Sequence, residues 1–288
     1  KAIRRQRQMC IRDRLCLQLF CQEEFLRRLE KSDYSDNFVL KGGLFIYSLT
    51  EFDSRVTVDI DFLLKSLPNT PEQLRAILER IISVDTGNEF ITFEITSVLP
   101  ISVAKKYAGI SASLVAHIKN TRTPFSIDFG VGDVIVPKQE KRKIPTQLND
   151  FSSPMINTYS LETTIAEKID AILSLMEFSS RMKDYYDIYY LANKFDFDGK
   201  ILVDALKRTF ANREHNFTVE QFEQVMSFDA DDLMQRKWKA FIKKIDAKTD
   251  DFSKVINTID DFLRFPIETA LNGTNFLMQW KASSNIWE

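Results

Sequence analysis

Apolar and polar residues change their rhythm once along this chain. From Phe38 to Val136 they alternate largely with a period of two, the spacing of strands with one buried face. From Tyr159 to about residue 270, apolar residues instead recur three and four apart, as on helices packed against a core. Within the first stretch, Arg55–Leu64 predicts the plainest strand. Val56, Val58, Ile60, Phe62 and Leu64 fall on one face, and Thr57, Asp59 and Asp61 on the other. Residues 89–99, 110–118 and 125–129 predict further strands, the last two joined by a turn over Asn120–Thr123. Pro71–Ile82 predicts an amphipathic helix, with Thr70 to cap it and Pro71 in its first turn. Earlier, residues 15–31 predict a helix, and Phe38-Val39-Leu40 runs through a Lys41-Gly42-Gly43 turn into a helix start at Leu44. The second stretch predicts helices over 160–177, 181–194, 200–211, 218–228, 229–246 and 252–270, and residues 271–288 carry no clear pattern.

This order implies an α+β protein. An N-terminal domain, 1–150, carries a mixed sheet flanked by helices, and a helical domain, 151–288, follows it. The polar, Pro-punctuated segment Pro137–Pro154 is the natural boundary. With 288 residues and 44% hydrophobic content, the chain can build one large core or two smaller ones. No apolar run reaches the roughly 18–20 residues that span a bilayer, and the basic start lacks the apolar core of a secretory signal. A cytoplasmic protein without a membrane partner is therefore expected. The chain begins with Lys, so residues 1–20 carry little weight. They hold Cys10 and Cys16, with Cys21 just beyond, an odd set in no zinc spacing, read as reduced thiols.

Charge and histidine content narrow the chemistry. A net charge of −2 argues against a polyanion binder by bulk composition. Lys138, Lys141, Arg142 and Lys143, opposed only by Glu140, form a basic loop that is either simply solvated or touches nucleic acid. His117 and His215 are the only histidines, so a His-rich zinc site is excluded and a Ser-His-Asp site is poorly supported. Chemistry must run on carboxylates, lysines and metal.

On the predicted strand, Asp59 and Asp61 point to one side, about 7 Å apart by strand rise, a spacing at which two carboxylates can share divalent cations. The plain alternative is a polar strand face in water, but Asp is poor in strands and two on one face need a reason. Asp128 sits on another predicted strand between Ile127 and Phe129. Were the two strands neighbours, it would add a third acid, able to complete a two-metal site or to take a proton from an attacking hydroxyl. Gly42-Gly43 adds backbone N–H groups at a helix start, where phosphate is welcome; alone, a Gly-Gly is only a turn.

Two charges fall on apolar helix faces. Lys168 lies at the edge of the stripe of Leu161, Ile165, Ile169, Ile172 and Met176, and Asp184 lies within the stripe of Ile188, Leu191 and Phe195. A Lys168–Asp184 pair would satisfy both. It is either a structural ion pair between helices or a lysine oriented toward phosphate, with Arg181 and Lys183 adding charge. Tyr185, Tyr186, Tyr189 and Tyr190 could stack on a base, although core packing is their commoner use.

The runs Val39-Leu40-Lys41-Gly42-Gly43, Arg55-Val-Thr-Val-Asp59-Ile-Asp61-Phe and Ile127-Asp128-Phe129-Gly130 together resemble the signature of the DNA polymerase β-like nucleotidyltransferases. Ala166-Glu-Lys168-Ile-Asp-Ala and Ser180-Arg181-Met-Lys183-Asp184-Tyr-Tyr-Asp187 are similar to the later motifs of the AbiEii/AbiGii family, the toxin half of abortive-infection toxin–antitoxin systems. The likeness covers roughly 23–265. It implies a nucleotidyltransferase domain followed by a helical domain. Asp59 and Asp61 would be the metal-binding pair, Asp128 the third acid, and Lys168 and Asp184 the essential later residues. Lys41, Gly42, Gly43, Lys168, Arg181 and Lys183 would bind nucleotide. It further implies Mg²⁺, with Mn²⁺ as the alternative, an NTP substrate, an RNA acceptor such as a tRNA 3′ end, a role in phage defence, and a cognate antitoxin. The superfamily commonly has Gly-Ser where this chain has Gly42-Gly43, so one hydroxyl contact to phosphate is missing. Two rivals remain open: a small-molecule nucleotidyltransferase with the same metal site, and a non-catalytic nucleotide-binding module.

Overall fold

In a computed structural model of the chain, the structure describes residues 2–57, 59–101, 109–178, 181–247, 249–273 and 275–288, with side chains from residue 14 onward, Glu177 excepted. The chain divides into two compact units: residues 1–132 with 140–158, and residues 133–139 with 159–288. Among the described residues, no helix is long and apolar enough to cross a membrane.

The first unit is built on a seven-stranded mixed sheet in the order β3-β4-β5-β2-β1-β7-β6. The strands are β1 (Phe38–Lys41), β2 (Ile60–Leu64), β3 (Ile91–Pro100), β4 (Ile110–Ile118), β5 (Thr121–Val131), β6 (Glu140–Lys143) and β7 (Met155–Thr158). β2 runs parallel to β5 and β1 parallel to β7, while the other neighbours are antiparallel. One sheet face is apolar. Phe38, Phe62 and Phe129 form a buried aromatic cluster with ring centroids 5.4–6.2 Å apart. Helices α1 (Ala2–Lys31) and α3 (Pro71–Ile82) add buried residues to this core: Phe25, Leu26 and Leu29 from the first, Leu74, Leu78 and Ile81 from the second. The Thr70 hydroxyl accepts from the Gln73 N–H and caps α3, as the sequence predicts. Between β1 and β2 lies α2 (Gly42–Leu49).

The predicted strand Arg55–Leu64 is a correction. Only Ile60–Leu64 is a strand; Val56 is 40% exposed, and Val58 lies outside the described residues. On the β1 side the partner strand runs out. β1 ends at Lys41, opposite Asp61, and turns into α2 at Gly42, so residues before Ile60 have no β1 backbone to pair with. The Pro-punctuated segment after residue 137 likewise holds a strand: β6 pairs with β7 at the sheet edge, so Lys141, Arg142 and Lys143 lie on a strand and only Lys138 of the basic run precedes it.

The second unit is helical: α4 (Leu161–Leu175), α5 (Met182–Lys194), α6 (Gly199–Asn212), α7 (Val219–Met226), α8 (Asp232–Ile245) and α9 (Phe252–Asn272). These fall close to the periodicity-based ranges. The unpatterned end folds back through β9 (Gln279–Lys281) and β10 (Ile286–Trp287), which form a small sheet with β8 (Phe197–Asp198). Trp280 is fully buried there and donates its indole N–H to the Ala192 carbonyl, 2.7 Å away.

Candidate active site

Four polar side chains line up across the sheet of the first unit. Strand register sets Lys41 of β1 opposite Asp61 of β2, Asp61 opposite Asp128 of β5, and Asp128 opposite Ser111 of β4. Residues in register share a face, so Lys41, Asp61, Asp128 and Ser111 form one row. Their neighbours Leu40, Phe62, Phe129 and Ile110 form the next row, on the buried face. The Ser111 hydroxyl donates to Asp128 Oδ1 at 2.6 Å, a charge-assisted bond that fixes that carboxylate. Ser111 was not among the sequence-derived candidates. Its only signal is a polar position on an alternating strand, which means something only once the register is known.

Gly42 closes one end of this row. Its φ is +69°, and a Cβ there would stand 2.1 Å from Asp61 Oδ2. The glycine is thus required twice, by its backbone conformation and by its approach to the carboxylate. A Cβ on Gly43 would lie 2.9 Å from Thr57 Oγ1 and 3.4 Å from Arg55 Nη2, so a guanidinium lies beside the start of α2. That start has no side-chain cap and no acid in its first turn. In the first unit α3 is capped by Thr70; in the second, α4, α6, α7, α8 and α9 are capped by Ser160, Asp198, Thr218, Asp231 and Asp251, while α5, which follows Arg181, has no side-chain cap. The α2 N-terminus therefore presents its positive dipole end and N–H groups without the usual side-chain acceptor, a setting that suits phosphate. Arg55 is a second residue missed in the sequence, where it appeared only as the start of a strand.

Asp59, expected beside Asp61 on a strand, precedes β2 and is exposed. Among the described residues, no three His, Cys, Asp or Glu side chains are gathered as a metal site. Asp61 and Asp128 lie on paired strands, and two carboxylates are what Mg²⁺ commonly takes from protein, the rest of its shell being water and substrate phosphate. The residues present fit such an ion, with Asp59 at the adjoining edge.

In the second unit, Lys168 of α4 meets α5. Its Nζ lies 2.9 Å from Asp184 Oδ1 and 2.6 Å from Asp187 Oδ2, and Arg181 Nε also bonds to Asp184. Both aspartates are buried to 1% side-chain exposure, and Lys168 is 10% exposed. Burial works against the Asp184 charge, but Lys168 and Arg181 outweigh it and hold its carboxyl down at about 2. The Lys168–Asp184 pair forms as the helix faces predict, and Asp187 joins as a third member. Lys183 points to solvent. Tyr185 and Tyr186 are core residues and Tyr189 and Tyr190 half-buried. Ser180 lies outside the described residues.

One family's sequence model, described as "Nucleotidyl transferase AbiEii toxin, Type IV TA system", matches residues 24–264. No curated protein sequence matches the chain. Two solved structures from Helicobacter pylori are similar to the chain. JHP933 is 14% identical with a TM-score of 0.48, over 86% of this chain and 88% of that one. A putative nucleotidyltransferase is 13% identical with a TM-score of 0.44, over 86% of this chain and 91% of that one.

Proposed function

The chain belongs to the AbiEii family of nucleotidyltransferase toxins of type IV toxin–antitoxin systems, and on that premise we propose that it transfers an NMP from an NTP to a hydroxyl at an RNA 3′ end. The acceptor oxygen attacks the α-phosphorus. The new O–P bond forms as the bond to the β-phosphate breaks, and pyrophosphate leaves. Asp61 and Asp128, with Asp59 beside them, would hold Mg²⁺, which supplies charge neutralisation at the phosphates when bound. The start of α2 receives phosphate through the N–H groups of Gly42 and Gly43, with the Arg55 guanidinium alongside. Asp128, held by Ser111, takes the acceptor's proton. In the helical unit, Lys168, clasped by Asp184 and Asp187, joins α4 to α5 as a buried ion cluster. The family's toxin–antitoxin context makes a cognate antitoxin the natural protein partner.

The observation that carries this reading is the in-register Asp61–Asp128 pair with the uncapped helix start pressed against Asp61. Two carboxylates side by side on adjacent strands suit a shared divalent cation, and a helix start without an N-cap side chain suits an anion. The test is incubation with each labelled NTP and total RNA, with Mg²⁺ or with chelator. The expected result is Mg²⁺-dependent label in RNA. Label in small molecules alone would favour a small-molecule transferase, and NTP binding that ignores both Mg²⁺ and Asp61→Ala would defeat the assignment.

A further inference from the structure

Helix α8 of the second unit carries a second kind of chemistry. Between Asp232 and Ile245 it has five basic residues, Arg236, Lys237, Lys239, Lys243 and Lys244, against the single acid Asp232, in a chain whose net charge is −2. At 100° per residue these five fall within one sector of about 160°. Met234, Trp238, Phe241, Ile242 and Ile245 occupy the opposite side, where Met234 and Trp238 are buried. Arg236, Lys239, Lys243 and Lys244 are exposed. Among the described residues, none of these four forms an ion pair with an acid. Placement near the helix C-terminus explains Lys243 and Lys244 through the macrodipole, but not Arg236 or Lys239. Other exposed helix faces mix their signs: Arg75 pairs with Glu79 on α3, and Arg264 with Asp260 on α9.

Asp232 lies in the same sector one turn before Arg236, so the single-sign part of the face is Arg236–Lys244, and with its packed apolar back that part has the geometry of a polyanion track. From Arg236 to Lys244 it extends about 12 Å along the helix axis, enough for several consecutive phosphates. We infer that the exposed face of α8 binds the phosphate backbone of an RNA, and that this RNA is the acceptor. The second clause rests on the transfer reaction proposed above; the first stands by itself. Backbone contact of this type is independent of sequence and strongly dependent on salt.

The test uses the whole chain with Arg236→Gln, Lys239→Gln, Lys243→Gln and Lys244→Gln combined, its thermal melt confirming that it folds. Binding of labelled bulk tRNA is followed by fluorescence anisotropy between 50 and 200 mM salt, and NTP binding is measured beside it. The expected result is RNA binding weakened at least tenfold at low salt. The slope of log K against log salt should become shallower by about 3, at roughly 0.7–0.9 per lost contact. NTP binding should be unchanged. Should RNA binding respond to α8 while the wild type transfers nothing to RNA, the surface stands and the transfer reading fails. Equal RNA affinity in wild type and variant overturns the inference, as does a wild type that binds anionic vesicles containing phosphatidylserine but not RNA.

Discussion

Asp61 and Asp128 stand side by side on a half-open sheet face, two like charges on paired strands, whereas Asp184 and Asp187 are buried and grip one lysine from two directions. The first arrangement leaves carboxylates facing solvent near an uncapped helix start; the second neutralises its charges internally. The contrast separates an arrangement built to receive something from one that already holds its fold together, and substitutions in the two should fail differently.

The largest effect is expected at Asp61. Asp61→Asn removes a carboxylate from the row, and nucleotide transfer should fall on the order of 10⁴-fold, about 5–6 kcal/mol of barrier. The unfolding free energy should move by less than about 1 kcal/mol, because a half-exposed acid, even one with a lysine opposite, adds little to the fold. Transfer assays and a denaturant melt on the same preparation check both halves.

Asp184→Ala should do the reverse in kind. It leaves Lys168 with Asp187 alone and removes Arg181's bond to Asp184, and breaking a buried ion cluster this way costs about 3–5 kcal/mol. Thermal unfolding should therefore show a drop of roughly 10 °C. A variant melting like wild type would mean that the cluster is not holding α4 to α5.

The units should also respond oppositely to pH. Glu23 of α1 is buried, and burial outweighs the Gln147 N–H and Arg27 to raise its carboxyl from the ordinary 4.5 to about 7. A raised acid favours the folded form below its unfolded value, and the advantage disappears as pH climbs from about 4.5 through 7, a change of roughly 3 kcal/mol. Asp184 is lowered to about 2, so its contribution is present above its ordinary 3.8 and lost as pH falls through 2, about 2 kcal/mol. Glu23→Gln should flatten the melting temperature between pH 5 and 8. A slope unchanged by that substitution would place the effect elsewhere.

Gly42→Ala lies between the two patterns. The new Cβ cannot stay 2.1 Å from Asp61 Oδ2, so the carboxylate or the turn must move. Transfer should drop roughly 30-fold or more, with about 1 kcal/mol of stability lost to the positive φ. The smallest effect is expected for Ser111→Ala, which loosens Asp128 without removing it. A change in kcat under about tenfold, with KM for NTP steady, would mark Ser111 as a positioning residue.

Much of the site was legible because its chemistry is local. Gly42-Gly43, Asp61, Asp128, Lys168 and Asp184 stand out as residue types placed against the prevailing pattern, and periodicity put the last two on helix faces that had to pair. Asp59 shows where local reading failed. Alternation carried the strand back to Arg55, but alternation records only which side chains could share a face, not where the β1 partner ends. Arg55 and Ser111 were given no role for the same reason: each acquires meaning from a neighbour distant in the chain.

The sequence by itself determined the α+β class, the succession of elements, and the acids and glycines available for chemistry, because apolar periodicity and backbone preference act within a few residues. Only the tertiary structure decided which acids meet. Strand register, set by hydrogen bonds between β1, β2, β5 and β4, put Lys41, Asp61, Asp128 and Ser111 in one row and left Asp59 at its edge.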